Sequence, residues 1–110
     1  MVIEFKDGVP IKGLKAIIYQ AIFVAAKIFN NQRFPLVVTS TTDGKHLPTS
    51  FHNHGMAFDI RTRSISEAIV INIAAQLRVD LNELSDKFQV VVEPTHIHVE
   101  LDDRRLINET

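Results

Sequence analysis

Apolar residues recur at helical spacing from position 14 to 29, at Leu14, Ile17, Ile18, Ala21, Ile22, Ala25, Ile28 and Phe29. That period predicts a helix with one buried face, ended by Asn30, Asn31 and Pro35. Residues 2–5 predict a short edge strand, closed by turn signals at Asp7-Gly8 and Pro10. Leu36-Val37-Val38 is short and mostly β-branched, as a buried strand would be. Residues 39–50 are rich in Ser, Thr, Gly, Asp and Pro and predict a long loop. A second buried strand is expected over 55–60. Ser64-Ile65-Ser66-Glu67 then has the form of a capping box before a helix over 68–77. Residues 80–87 form a polar connection. Residues 88–93 and 96–101 predict two strands turned by Pro94-Thr95, a hairpin. Helices and strands mixed in this order predict an α+β domain, a small antiparallel sheet with helices packed on it.

The length of 110 residues suits a single domain spanning 1–110, and a hydrophobic content of 45% allows it a packed core. Cysteine is absent, so any metal site must use nitrogen and oxygen ligands, and no disulfide framework exists. The net charge of -1, with both signs mixed along the chain, excludes the electrostatic footprint of a nucleic-acid binder. The apolar stretch 14–29 is interrupted by Lys15, Gln20 and Lys27 and is shorter than the roughly 20 residues of a membrane span. The first residues lack the basic start and apolar run of a secretory signal, so synthesis in the cytosol is expected.

All five histidines fall in two windows, His46, His52 and His54 in one and His96 and His98 in the other. If 55–60 is a strand, Gly55, Ala57 and Asp59 share one face while Met56, Phe58 and Ile60 enter the core. A carboxylate on so apolar a strand needs a partner. His52 sharing a cation with it is one solution; pairing with Arg61 or Arg63 is the plainer one. In the second window, a two-residue loop at Pro94-Thr95 sets Glu93 opposite His96, so that Glu93, His96 and His98 project together. Proline cannot adopt the positive φ such loops prefer, which leaves a wider loop open. Two histidines and one carboxylate around zinc, with a fourth position for water, make a catalytic arrangement rather than a structural one.

These residues resemble the zinc D-Ala-D-Ala peptidases and the amino-terminal signalling domain of hedgehog proteins, which share a fold. The pattern Ser-x-His-x-x-Gly-x-Ala-x-Asp is met by Ser50, His52, Gly55, Ala57 and Asp59, and a late His-x-His by His96-Ile97-His98. Thr42-Asp43-Gly44-Lys45-His46 is similar to the segment before the first ligand in hedgehog domains. The resemblance implies zinc (Zn2+) held by His52, Asp59 and His98. It implies Glu93 as general base, with His96 and His46 as further catalytic groups. Because Glu93-Pro94-Thr95-His96 also fits a branch in which the residue at His96 is the ligand, His96 stands as the alternative to His98.

The implied activity is hydrolysis of peptide bonds in bacterial peptidoglycan, by a carboxypeptidase or endopeptidase. The implied alternative is a zinc-containing recognition module without turnover. The plainest competitor is a metal-free α+β domain with incidental histidines. One departure weighs against the carboxypeptidase: residues 40–43 lack the arginine with which many members hold the substrate carboxylate. Lys45, Arg61 and Arg63 are then either substitutes or solvated charges. The expected partner is a peptidoglycan peptide, with no nucleic acid and no membrane span. So small a chain without a leader suits a phage-type origin, acting on the host wall after release.

Overall fold

The computed structural model describes residues 1–43 and 51–107. Five strands and three helices follow one another as β1 (Ile3–Phe5), α1 (Ala16–Asn31), β2 (Leu36–Ser40), β3 (Ala57–Arg61), α2 (Glu67–Asn82), β4 (Phe88–Val92), β5 (His96–Leu101) and α3 (Arg104–Ile107). A 3-10 turn, Phe51–His54, precedes β3. The radius of gyration, 13.1 Å, matches the roughly 13 Å of a folded chain this long.

The strands form one sheet in the order β1-β2-β3-β5-β4. Antiparallel pairing runs from β2 to β4. β1 joins β2 in parallel, which makes the sheet mixed rather than antiparallel as expected. The reason lies in the connection: α1 carries the chain back across the sheet, as a crossover between parallel strands requires.

One face of the sheet is covered by α1 and α2. From it Val38, Phe58, Ile60, Ile97, Val99 and Leu101 meet Ile18, Ile22, Phe29, Ile73, Leu77 and Leu81 of the two helices in one core. The strand period of two therefore sends Asp59, His96, His98 and Glu100 to the opposite face.

Local boundaries differ from expectation where burial overrides local signals. Ser66, not Ser64, caps α2, accepting from the Ile69 amide at 3.4 Å. Ser64 instead takes a left-handed conformation (φ 74°) in the turn before it. The helix continues past 77 because Leu81, one turn beyond Leu77, is fully buried. β3 starts at Ala57 rather than Gly55, whose own φ of 68° ends the preceding turn. The hairpin closes through the Glu93 amide donating to the His96 carbonyl at 2.8 Å, so Pro94-Thr95 do form the loop.

Candidate metal centre

His52 is placed by backbone geometry. The 3-10 turn is closed by the Gly55 amide donating to the His52 carbonyl (3.1 Å) and the Met56 amide to that of Phe51 (3.0 Å). Gly55 must be glycine: its φ is positive, and a Cβ there would collide with the Gly13 carbonyl oxygen. Its own carbonyl accepts from the Lys15 amide at 2.9 Å, docking the turn onto the entry to α1.

Asp59 and His98 are direct cross-strand partners, and so are Arg61 with His96 and Ala57 with Glu100. Ala57, two residues before Asp59 on β3, is fully buried. His52, Asp59 and His98 each offer one ligand atom, all within 4.8 Å of one another. His52 Nε2 stands 3.4 Å from Asp59 Oδ1, and His98 Nδ1 2.8 Å from the same oxygen. Bonds of about 2.0–2.2 Å at a tetrahedral zinc place ligand atoms roughly 3.3 Å apart. The first distance already meets that edge; the second is a direct hydrogen bond and must open by about 0.5 Å to admit an ion.

The outer nitrogens of both rings are committed as donors. His52 Nδ1 donates to the Thr41 carbonyl at 2.6 Å. Thr41 is itself fixed, its hydroxyl donating to Pro10 and its amide to Asp43. His98 Nε2 donates to Glu100 Oε1 at 2.8 Å. A neutral His52 therefore turns a lone pair toward an Asp59 oxygen, which is also an acceptor. Something positive must lie between them, either a proton or a metal ion. Donation from the outer nitrogen to a carbonyl or carboxylate is the usual support of a metal-bound histidine.

The electrostatics agree. Burial alone would raise the Asp59 carboxyl's pKa, but hydrogen bonds from His52 and His98 and the charges of His52 and His96 outweigh it. The carboxyl is held well below the usual carboxylate range. The hydrogen bond to Asp59 pushes the His98 imidazole up; burial opposes this, and Glu100 adds to the rise. Without metal, both ring nitrogens of His98 lie within hydrogen-bond reach of a carboxylate, an arrangement that favours its charged form.

The structure thus brings His52, Asp59 and His98 together. His96 lies farther off, its Nε2 3.9 Å from Asp59 Oδ2 and its side chain about one-third exposed. Of the two candidates on β5, His98 completes the group. Glu93 is exposed and borders a different cleft, with Thr62, Arg63, Glu67, Val70 and Val92. Among the described residues its carboxylate makes no hydrogen bond or ion pair with the group. His46 lies outside the described residues. Neither Arg61 nor Arg63 makes an ion pair with Asp59, so the histidines are its partners.

Sequence reasoning missed Glu100 and the Thr41 carbonyl. The first carried a signal, since His98 and Glu100 are two apart on one strand. The second is a backbone atom and carried none.

The sequence matches no family model, and no curated protein or solved structure is significantly similar to it.

Proposed function

We propose that this chain is a zinc-dependent peptidase acting on bacterial peptidoglycan, of carboxypeptidase or endopeptidase type, with a hedgehog/DD-peptidase-like fold. The supporting observation is the convergence of His52 Nε2, Asp59 Oδ1 and His98 Nδ1, each ring braced from behind by an acceptor. A metal ion held by these atoms would polarise a peptide carbonyl and bring the pKa of a water toward about 7. No helix among the described residues is long and apolar enough to cross a membrane.

The residues around the group supply the remaining roles. Glu93 pairs with His96 at the hairpin, which makes it a diagonal neighbour of His98. Such neighbours are roughly 7–8 Å apart, enough for a water between them. Glu93 takes the proton from the attacking water and returns it to the leaving amine. His96, on the open side of Asp59, donates a hydrogen bond to the carbonyl oxygen as charge develops there.

The exposure of Glu93 and its lack of contact with the group favour a second reading, a zinc-holding recognition module without turnover. Glu93→Ala separates the two. The peptidase requires that this variant keep its zinc and lose hydrolysis of peptidoglycan, and that a chelator abolish wild-type hydrolysis until zinc is restored. Wild-type protein that holds zinc but releases no fragment from any wall type would leave the recognition module.

A further inference from the structure

β4 lies at one end of the sheet, and among the described residues no strand pairs with its outer side. Its backbone groups divide by alternation. The Glu93 amide bonds to the His96 carbonyl, so residues 89, 91 and 93 turn their amides and carbonyls toward β5. Phe88, Val90 and Val92 therefore turn theirs outward. The Arg78 guanidinium, reaching from α2, donates to the Val90 carbonyl at 3.0 Å, as an outward carbonyl allows. It uses one of the two lone pairs on that oxygen.

An edge strand is kept solitary by a charge, a proline, a bulge or very short length. β4 has none of these over its 5 residues, Phe88-Gln89-Val90-Val91-Val92, and its register with β5 runs without a shift. Val91 and Val92 are 41% and 40% exposed. Val92 borders a cleft with Glu67 and Val70 of α2. Ile71, the next residue of that helix, is 54% exposed and lies two turns before Arg78, on the same side of α2. An apolar strip thus runs from helix to strand along one border of the molecule. The opposite edge differs: β1 has 3 residues, one of them Glu4, and the Asn30 side chain holds the Val2 backbone beside it.

We propose that β4 pairs with β4 of a second copy of this chain, antiparallel across a twofold axis through Val90, joining two sheets into one. The flanking charges choose both the occupant and the register. With Val90 opposite its own copy, Val92 meets Phe88 of the second copy in a hydrogen-bonded pair. Glu93 then meets Lys87 of the second copy at a non-hydrogen-bonded position, where side chains stand closest. The symmetry makes that ion pair twice. Both groups are exposed, and among the described residues neither forms an ion pair within its own chain. Asp103, near enough to feel the Lys87 charge, is bound by Arg105. A register centred on Val91 instead would set Glu93 against Gln89 and Lys87 against Thr95, with no charge matched. The dimer does not depend on the peptidase reading.

Sedimentation equilibrium of the full chain, without metal and over rising protein concentration, tests this. The mass should climb from 12.4 kDa toward twice that and stop there. Amide exchange followed by NMR should show the outward amides of Val90 and Val92 becoming protected as the dimer forms. Lys87→Glu sets acid against acid in the proposed pairs, and Glu93→Lys sets base against base. Each variant alone should dimerise roughly tenfold or more weakly than the parent. An equimolar mixture of the two should recover association close to the parent's, because each chain then supplies the charge the other needs. A parent chain that stays at 12.4 kDa throughout overturns the proposal without recourse to a variant. So does a mass that keeps climbing past two chains, or a dimer whose Val90 and Val92 amides exchange as freely as in the monomer. Single variants that dimerise like the parent, or a mixture that recovers nothing, overturn the pairing of Lys87 with Glu93 and the register built on it.

Discussion

Replacing Glu100 with alanine should weaken zinc binding about tenfold to thirtyfold, although Glu100 itself need not touch the ion. Its carboxylate accepts from His98 Nε2 at 2.8 Å and is about one-fifth exposed. A hydrogen bond to a charged group contributes about 1.5–3 kcal/mol, and partial access to water moves it to the low end. At about 1.4 kcal/mol per factor of ten, that is a little over tenfold, within the 10–100-fold usual for such supports. The loss depends on pH in a way that tests the reasoning. Glu100 also steadies the charged His98 of the metal-free protein, whose pKa is raised chiefly by Asp59. At acid pH, removing Glu100 weakens the competing proton as well as the metal, so the net effect shrinks. Zinc competition against a chelating dye at pH 8 and pH 6 should show the larger loss at pH 8, with Glu100→Gln in between. An unchanged affinity at pH 8, in a variant that melts like the parent, would refute the supporting role of this carboxylate.

Five further outcomes follow from the same geometry. Asp59→Ala removes the atom both histidines converge upon and should abolish zinc retention through gel filtration; a variant that keeps stoichiometric zinc places the ion elsewhere. Metal-free protein should lose stability as pH rises. The folded His98 binds its proton more tightly than the unfolded chain, so this contribution is full below the ordinary 6.5 and is lost as pH climbs through the raised value. Zinc affinity should rise over that same window, because the ligand must shed its proton; melting curves and dye competition from pH 6 to 9 check both signs. Gly55→Ala combines a left-handed backbone with a collision against Gly13 and should cost about 2 kcal/mol or more, lowering the denaturation midpoint and zinc affinity together. Phe58→Ala should cost about 3–5 kcal/mol in the same denaturation assay, because the ring is fully buried between sheet and helices.

The sheet and the two long helices were legible because their apolar periods are clean. Residues 96–101 alternate without a break, and the strand there has those bounds. The antiparallel expectation failed at β1, where three residues carry too little pattern to reveal their partner. The capping position slipped by two because Ser64 and Ser66 offer the same local chemistry, and only the turn's left-handed residue decides between them. Within the site, alternation put Asp59 on the open face of its strand and grouped His96 with His98, and the resemblance chose His98 between them; the pairing of the two strands was not read from the sequence. His52 followed from the glycine beyond it. Glu93 was placed correctly opposite His96 in register, yet its exposure could not be read from the sequence.

Asp59 and His98 rise from strands whose opposite sides carry Phe58, Ile60, Ile97 and Val99. Sliding β3 by one position would drive the Asp59 carboxylate into hydrocarbon, sliding β5 would do so to the His98 imidazole, and either would put core side chains in water. The oily side of the sheet thus acts as the jig that aligns the ligands, and no separate device is needed to hold their spacing. Any change that loosens that packing enough to permit a slip should therefore be felt first as a loss of metal, before the domain unfolds.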